Sequence, residues 1–377
     1  MMFDIPKMLE PMSAEEFRSS YFNRSSVHIQ GQSGRFAGLL GWEGINGILD
    51  TSIFPDRDIL LVREREFKEF KSVGEVRRAI NEGYTLIINN LHKRHLAVGT
   101  LAESAGSFFG ESCQVNMYLS HPEFPGFDVH YDTHDVLVLQ ICGQKNWQIH
   151  MPTLEKPTIL SKASEGASPT TAPYMDVVTK EGDLLYIPRG HWHIARPAAA
   201  EPSLHLTLGI LSRTGLDFLE WLKGELSDDA LWRDSFTFQR EGYAEKLVAS
   251  IVDTMSSGEI FQKYRRYCMM NLWRQSHLGL PLAYSSIAKF GLTNQTVYVP
   301  PLLPVVKEEA QSCITLLFGN CRVNLRKEAC ALVDHLLAGN DLDLSRLSEY
   351  TFGISDRQTL ATMRILYDLE LIRVKNH

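Results

Sequence analysis

Several features that mark other protein classes are missing from this sequence of 377 residues. No apolar run reaches the roughly 18 residues that a membrane-spanning helix needs. The opening Met1–Met12 carries Asp4, Lys7 and Glu10 in place of a basic stretch followed by an apolar one. The six cysteines form no Cys-x-x-Cys pair, which argues against a zinc ribbon or a disulfide framework. These absences predict a cytoplasmic protein with reduced thiols and no membrane association.

Composition and charge are those of an ordinary globular protein. Hydrophobic residues make up 44% and charged residues 22% of the chain, which is long enough for two or three domains. The net charge is −7, yet residues 262–377 carry 14 lysines and arginines against 10 acidic residues. The negative charge therefore lies in the rest of the chain, and an acidic region of this kind favours a basic partner.

The region from residue 114 to residue 211 has short apolar segments separated by Gly, Pro and Asn. Such regular short strands are typical of a β-barrel or a β-sandwich. The predicted strands are Val115–Leu119, Asp128–Tyr131, Val136–Ile141, Asn146–Met151, Leu184–Ile187, Trp192–Ala195 and Ser203–Leu211. Residues 1–95 before them show a mixed α/β pattern, with a helix capped by Ser13 and strands at Val27–Gln30, Ile59–Val62 and Thr85–Ile88.

After residue 214 the pattern becomes helical. Apolar residues recur at three- and four-residue spacing from Leu216 to Leu222 and from Ala244 to Met255. The end of the chain has the spacing of a helix-turn-helix followed by the start of a wing. The segments that carry this spacing are Leu325–Leu337, Leu344–Tyr350, Asp356–Leu369 and Leu371–Val374.

One motif in the strand region predicts chemistry. In His130-Tyr131-Asp132 an imidazole and a carboxylate share one face of a strand, because side chains alternate with period 2. A histidine from a distant strand can complete a set of two histidines and one carboxylate, which suits non-haem Fe(II) and leaves coordination positions open. His191 and His193 are the two candidates for that third ligand, and both would share a face if they lie on one strand. His134 and Asp135 follow the motif and are interpreted as turn or rim residues.

The segments FDVHYD (127–132) and GDLLYIPRGHWH (182–193) together resemble the JmjC, cupin-type 2-oxoglutarate oxygenases. Within them, the "cupin 4" branch that includes bacterial ribosomal oxygenases is the most similar. The flanking segments NMYLS (116–120) and SLHLT (203–207) support the same resemblance, which extends over nearly the whole chain. It implies an α+β protein built on a double-stranded β-helix, the cupin/JmjC barrel.

The resemblance also implies a ligand set and a cosubstrate site. The family's metal ligands match His130, Asp132 and His193, and its cofactors are Fe(II) with 2-oxoglutarate as cosubstrate. Lys145 matches the basic residue that neutralises the distal carboxylate of 2-oxoglutarate; without the resemblance it would be interpreted as a solvated lysine beside a turn. Tyr118, Asn116 and Thr207 match further positions in the cosubstrate pocket. They could equally be ordinary strand residues whose side chains satisfy backbone groups.

Three domains are expected from these patterns and from the resemblance. Residues 1–213 would form the catalytic JmjC/cupin domain with its α/β flank, residues 214–269 a helical dimerisation region, and residues 270–377 a winged-helix-like domain. The expected assembly is a homodimer. The segment Asp356–Leu369 carries only Arg357 and Arg364 against Asp356 and Asp368, which is too little positive charge for direct nucleic-acid binding.

The expected function is that of a 2-oxoglutarate-dependent dioxygenase that hydroxylates a side chain of a protein or peptide, with a ribosomal protein as the candidate substrate. Two alternatives stay open at this point. One is a hydroxylase that tailors a natural product or small peptide. The other is a cupin scaffold that binds a partner without catalysis.

Overall fold

The computed structural model describes most of the chain: residues 3–51, 58–63, 66–68, 72–124, 126–161, 168–236, 241–272, 295–300, 305–318 and 321–374. The chain divides into two compact units, Met1–Ser212 and Arg213–His377. No helix within the described residues is both long and apolar enough to cross a bilayer. All six cysteines are described and are free thiols, as expected.

The first unit begins with helices and short strands that flank the barrel. In chain order they are α1 (Ile5–Leu9), α2 (Ala14–Glu16) with a π-helical turn (Phe17–Tyr21), β1 (Val27–Ile29), α3 (Trp42–Thr51), β2 (Ile59–Arg63), β3 (Glu66–Lys68), α4 (Val73–Asn81), β4 (Thr85–Ile88), a 3₁₀ turn (Leu91–Lys93) and α5 (Leu96–Phe109). Ser13 caps α2 as predicted, since its hydroxyl accepts the N–H of Glu16 at 3.0 Å.

Seven strands then form the barrel: β5 (Ser112–Ser120), β6 (Asp135–Cys142), β7 (Lys145–His150), β8 (Met175–Thr179), β9 (Leu184–Ile187), β10 (Trp192–Pro197) and β11 (Ser203–Leu211). They belong to two sheets in which every strand pair is antiparallel. The larger sheet has the order β1-β9-β6-β11-β5-β4-β2-β3, and the smaller one has the order β10-β7-β8.

The core between the two sheets follows from the alternation along their strands. The large sheet contributes Val136, Val138, Leu185 and Ile187, and the small sheet contributes Trp147 and Ile149. These side chains are every second residue of their strands, so each strand points one face inward. The two antiparallel sheets and their flanking helices make this unit an α+β barrel, as the resemblance predicted.

Two details of the predicted strands are corrected. Asp128–Tyr131 is not a strand, because only His130 pairs, through a single bridge to His193. Strand β8 was not predicted, since the polar segment before it masked its alternating pattern. The other six predicted strands agree with the structure to within a few residues at each end.

Within its described residues, the second unit has four helices followed by a compact α/β part. Its elements are α6 (Gly215–Leu226), α7 (Ala230–Arg233), α8 (Tyr243–Ser256), α9 (Glu259–Met270), β12 (Thr296–Tyr298), β13 (Val306–Glu309), β14 (Cys313–Phe318), β15 (Cys321–Arg326), α10 (Cys330–Leu337), β16 (Leu342–Asp343), α11 (Asp356–Asp368) and β17 (Arg373–Val374), with 3₁₀ turns at Lys327–Ala329 and Leu344–Glu349. Two sheets, β16-β12-β17 and β13-β14-β15, share one apolar core with α10 and α11.

The helix predicted from Leu325 begins later than expected. Leu325 lies in β15, where buried Val323 and Leu325 alternate with exposed residues, and α10 begins only at Cys330. Helix α11 has the predicted cap: Ser355 and Gln358 bond each other's backbone N–H groups. The three-part domain division and the winged-helix assignment stay predictions, and residues 273–294 of that last domain lie outside the described residues.

Candidate metal centre and its cavity

His130, Asp132 and His193 converge on one point in the first unit. One ligand atom from each lies within 4.8 Å of the other two, and His193 Nε2 is 3.6 Å from Asp132 Oδ2. The backbone explains how a loop and a strand meet so closely. His130 and His193 exchange two main-chain hydrogen bonds of 3.1 and 2.7 Å, so their rings stand side by side with centroids 4.4 Å apart.

Both imidazoles are oriented in the same way. Nδ1 of His130 lies 2.8 Å from the carbonyl oxygen of Asp128, and Nδ1 of His193 lies 3.1 Å from that of His191. A carbonyl oxygen can only accept, so each Nδ1 carries the proton and each Nε2 offers its lone pair. Burial, with help from neighbouring His130, lowers the pKa of His193 to about 4. His193 is therefore neutral at physiological pH, which is the form that binds a metal.

His191, the other candidate for the third ligand, is bonded to a residue outside the cluster. Strand β10 begins at Trp192, so His191 lies in the preceding turn. Because it is not part of the strand, it does not have to share a face with His193. Its Nδ1 lies 2.7 Å from the hydroxyl of Tyr174, which in turn donates to Ser26 Oγ at 2.8 Å. His191 is not in the cluster that could share one ion with His130 and Asp132.

A buried carboxylate fixes the loop that carries the cluster. Asp135 is fully buried at the start of β6, and it accepts hydrogen bonds from the Tyr186 hydroxyl, the Arg189 N–H and the Ser212 hydroxyl at 2.8, 3.2 and 3.1 Å. Beside it, the N–H of Gly190 donates to the carbonyl oxygen of Asp132 at 2.9 Å. The interpretation of Asp135 as a rim residue was wrong; it ties the metal-site loop to the turn before β10.

His134 packs on the barrel wall beside this loop. A Cβ at Gly209 would lie 2.8 Å from its ring, so the glycine in β11 leaves the space that the imidazole fills. His134 does not line the cavity described next.

The cluster opens onto a cavity of about 270 Å³ between the two sheets. Its lining combines the candidate ligands with apolar and polar side chains from both sheets. The lining residues are Thr85, Tyr118, Ser120, Gly126, Phe127, His130, Asp132, Val136, Val138, Lys145, Trp147, Ile187, His193, Ala195, His205 and Thr207. Of the predicted cosubstrate residues, Lys145, Tyr118 and Thr207 are among them and Asn116 is not.

Lys145 is the cation of the cavity. Its side chain is 2% exposed, and burial lowers the pKa of its ammonium group to about 8. Among the described residues no carboxylate forms an ion pair with it. A buried cation without a counter-ion is unfavourable unless an anion arrives from outside the protein. The alternative interpretation of Lys145, as a solvated lysine beside a turn, is therefore wrong.

Aromatic rings shape the wall next to Lys145. Tyr118 stacks on His205 with ring centroids 5.0 Å apart, and Trp147 meets the edge of His205 at 5.5 Å. Burial and the nearby Asp132 carboxylate raise the pKa of Tyr118 to about 12, so its hydroxyl remains a donor. Burial, together with Lys145, lowers the pKa of His205 well below its usual value, which keeps this imidazole neutral.

Asn116 faces another partner. Its Oδ1 accepts the N–H of Asn90 at 3.0 Å, and its amide opposes the burial that raises the pKa of Tyr118. The structure thus brings Asn116 next to a cavity residue rather than into the cavity, and its predicted role stays a prediction.

The sequence analysis did not assign the cavity residues Thr85, Ser120, Gly126 and Phe127 to a site. Thr85 belongs to a strand that was predicted from its apolar run, and it is the single polar side chain of that run. A polar residue at the start of an otherwise apolar buried strand was the only available signal.

Comparisons with known proteins agree with this geometry. Residues 94–218 match the family model described as "JmjC domain". Ribosomal oxygenase 1 of Gallus gallus is 27% identical over 263 residues, which cover 65% of this chain and 44% of that protein. The "bifunctional lysine-specific demethylase and histidyl-hydroxylase NO66" of Drosophila persimilis is 30% identical over 215 residues, covering 54% of this chain and 31% of that protein.

Solved structures show the same fold over almost the whole chain. Escherichia coli YcfD aligns with a TM-score of 0.66 at 14% identity, covering 97% of this chain and 98% of that one. A structure of YcfD described as a ribosomal oxygenase in complex with cobalt and 2-oxoglutarate aligns with a TM-score of 0.64 at 13% identity, covering 97% of this chain and 99% of that one. The chain spans less than half the length of the curated relatives just described. The resemblance expected from the sequence is confirmed: residues 94–218 match the JmjC-domain model, and the chain is similar to ribosomal oxygenases.

Proposed function

We propose that this chain is an Fe(II)- and 2-oxoglutarate-dependent dioxygenase that hydroxylates a side chain of a protein or peptide. One observation carries the proposal: a single cavity holds both a His-Asp-His cluster and a buried lysine that has no counter-ion among the described residues. The first feature fits a metal with open coordination positions, and the second fits the anionic end of a cosubstrate.

His130, Asp132 and His193 would hold the metal. Two neutral imidazoles and one carboxylate are the donor set that non-haem Fe(II) oxygenases use. When bound with 2-oxoglutarate, Fe(II) supplies O₂-dependent hydroxylation of a C–H bond, with decarboxylation of the cosubstrate to succinate and CO₂. The carbonyl oxygens of Asp128 and His191 fix the imidazole tautomers, so neither ring has to reorganise when the metal enters.

Lys145 would bind the distal carboxylate of 2-oxoglutarate. The Tyr118 and Thr207 hydroxyls line the same cavity and can donate to it. Asn116 would act one step back, through the Tyr118 hydroxyl, whose pKa its amide lowers against the larger effect of burial. The apolar side chains of Val136, Val138 and Ile187 exclude water around these donors, which strengthens each charged contact.

A spectroscopic titration tests the reaction class. Anaerobic addition of Fe(II) and then 2-oxoglutarate should give the weak visible charge-transfer band of the metal chelate. His130→Ala and Asp132→Ala should abolish the band, while Glu309→Gln, a change in the second unit, should leave it intact. A folded wild-type protein without any band would favour the non-catalytic scaffold instead.

A basic protein is the proposed substrate class, with ribosomal proteins as the candidates. The relatives are named ribosomal oxygenase and histidyl-hydroxylase, and the negative net charge outside residues 262–377 suits a basic partner. Intact masses of ribosomal proteins from a deletion strain and its parent provide the test. Loss of one oxygen atom from a single protein supports the proposal. Unchanged masses would favour the alternative substrate class, a small peptide or natural product. Demethylation is a weaker candidate activity than hydroxylation.

A homodimer built on helices of the second unit is the proposed assembly. Phe218, Leu222 and Ile260 bury one apolar face among these helices. A second apolar set remains exposed: Leu216 and Leu219 on α6 are 50% and 51% exposed, and Val248 and Val252 on α8 are 60% and 56% exposed. Each pair has helical spacing and forms a stripe that a partner could cover.

Light scattering across a dilution series tests the dimer. A mass near twice 42.7 kDa at micromolar concentration supports it. Val248→Asp with Val252→Asp should shift the population to monomer, whereas Glu245→Gln on the same helix should not. A monomeric wild type would remove the dimer and leave the catalytic proposal untouched.

The terminal part of the second unit is proposed to be a winged-helix-like domain that docks protein rather than nucleic acid. Arg364 on α11 is already paired with Asp368 at 2.9 Å, which leaves little positive charge on that helix for phosphates. We also propose that the protein is located in the cytoplasm.

A further inference from the structure

The cavity contains a buried hydroxyl without any protein partner. Thr85 is 1% exposed, lines the cavity, and its Oγ1 makes no hydrogen bond in the described part of the chain. A hydroxyl removed from water without a partner is unfavourable, so such groups usually meet a ligand or a bound water. Thr85 was not among the residues predicted from the sequence.

Gly126 keeps the space around this hydroxyl open. A Cβ at Gly126 would lie 2.9 Å from Thr85 Oγ1 and 3.2 Å from Thr85 Cβ. Both residues line the cavity. Any larger residue at 126 would press on the hydroxyl, so the glycine leaves Thr85 free to face the cavity.

Thr85 lies at the same end of the barrel as Lys145. The Thr179 hydroxyl is 3.2 Å from the carbonyl oxygen of Lys145 and 3.0 Å from Gln140 Oε1, and Gln140 Nε2 donates to Ser203 Oγ at 2.9 Å. These bonds link the small sheet, where Lys145 begins β7, to β6 and to the start of β11 in the large sheet.

The strand register shows which residues of the large sheet lie at the same position along the barrel as Lys145. Ser203 pairs with Ser120, the last residue of β5. Leu119, just before it, pairs with Leu86 of β4, so Thr85 comes next in line beside Ser120. The metal cluster lies at another level, because His193 pairs with Ile149 near the opposite end of β7 from Lys145. A molecule that reaches from the metal to Lys145 therefore ends at the level of Thr85 along the barrel.

We infer that the Thr85 hydroxyl donates a hydrogen bond to the distal carboxylate of 2-oxoglutarate, beside Lys145, and that Gly126 preserves the room for it. The inference rests on the proposed function. A carboxylate has two oxygens and about four acceptor sites, so a single ammonium group leaves acceptors unsatisfied in a dry cavity. Thr85 is thus a cosubstrate-binding residue that supplements Lys145, Tyr118 and Thr207.

Equilibrium binding tests the inference without turnover. Calorimetric titrations of the full chain loaded with Mn(II), under anaerobic conditions, would compare 2-oxoglutarate with oxalate. Oxalate chelates a metal but is too short to reach the far end of the cavity. Thr85→Val removes only the hydroxyl and should weaken 2-oxoglutarate binding about tenfold. Thr85→Ser keeps a hydroxyl and should stay within about twofold of wild type.

Oxalate binding should be the same in all three proteins. The free Thr85→Val protein should be at least as stable to heat as wild type, because an unpartnered buried hydroxyl has been removed. A purely structural role for Thr85 predicts the reverse: lower stability and equal losses for both ligands. That result, or an unchanged 2-oxoglutarate affinity in Thr85→Val, would overturn the inference while leaving the proposed function in place. A wild-type protein that binds oxalate but not 2-oxoglutarate would overturn both.

Discussion

Two clusters of potential metal ligands occur among the described residues, one in each unit, and they differ in what surrounds them. His130, Asp132 and His193 line a cavity with no cation inside the cluster. Glu309, Cys330 and Asp334 lie at or near the surface of the second unit, and two lysine ammonium groups already bond to them. Lys307 Nζ is 2.7 Å from Glu309, 3.1 Å from the Cys330 thiol and also bonds Asp334, while Lys327 bonds Glu309.

The contrast teaches that ligand types within reach of one another do not make a metal site. In the second cluster the negative charge is already neutralised, and a metal would have to displace two lysines. In the first cluster each imidazole donates its Nδ1 proton to a carbonyl oxygen, which leaves the Nε2 lone pair available for a metal. No lysine or arginine of the described residues pairs with Asp132. The same reasoning distinguishes Lys307 from Lys145: carboxylates bond to Lys307, whereas Lys145 has no carboxylate partner among the described residues.

The largest expected effect is loss of the metal on removing a ligand from the first cluster. His193→Ala should lower Co(II) affinity beyond the measurable range, because one of three protein donors is gone. His191→Ala is the matched control: it removes a neighbouring buried imidazole bonded to Tyr174 and should retain Co(II) binding. Titration followed by Co(II) absorption decides between them. Loss of binding in His191→Ala with retention in His193→Ala would reverse the proposed assignment.

A smaller but still large effect is expected at Lys145. Lys145→Met should weaken 2-oxoglutarate binding by about 100-fold, since truncating one partner of a buried charge pair costs several kcal/mol. Metal affinity should not change. Lys307→Met in the second unit should alter neither quantity. Calorimetry with Mn(II)-loaded protein gives both constants, and equal 2-oxoglutarate affinity in Lys145→Met and wild type would refute the role of Lys145.

The pH dependence of binding provides a further test of the same lysine. Burial lowers the pKa of Lys145 in the free protein to about 8. Only the protonated form attracts the carboxylate, so affinity should be level below pH 8 and fall about tenfold per pH unit above it. Lys145→Arg, which stays charged at any of these pH values, should remove the fall. A wild-type affinity that stays level up to pH 10 would contradict this assignment.

Much of the barrel could be predicted because its strands are short apolar runs bounded by turns. Leu184–Ile187 and Ser203–Leu211 were predicted with their observed bounds. Helix α5 was not predicted, since buried residues cover most of its surface and leave no amphipathic stripe. Leu325 was assigned to a helix because its neighbours downstream have helical spacing, although Val323 and Leu325 alternate as in a strand.

The site could be predicted only as far as side-chain type and chain order allow. His130, Asp132, His193 and Lys145 were identified by motif and resemblance. The residue pattern alone left His191 and His193 open, because the choice between them depends on β10 beginning at Trp192, and strand ends are not encoded in a local pattern. Asn116 turns away because Asn90 offers it a backbone N–H across two chain segments. The role proposed for Thr85 depends on strand register between β4 and β5, which no local pattern encodes.

The smallest expected effect concerns the stability of the second cluster. Hydrogen bonds from Lys307 and Lys327 lower the pKa of Glu309 to about 2, below its usual value of 4.5. A carboxyl with a lowered folded-state pKa stabilises the fold above pH 4.5, and that stabilisation is lost as the pH falls through about 2. Glu309→Gln should therefore lower the urea midpoint slightly at pH 6 and approach the wild-type value near pH 2. Because the cluster is exposed, 1 M NaCl should shrink the difference at pH 6. Glu328→Gln, in the neighbouring 3₁₀ turn, is the control for loss of an exposed carboxylate, because Glu328 forms no ion pair among the described residues. A deficit that grows toward acid pH would mean that Glu309 is not held ionised by the two lysines.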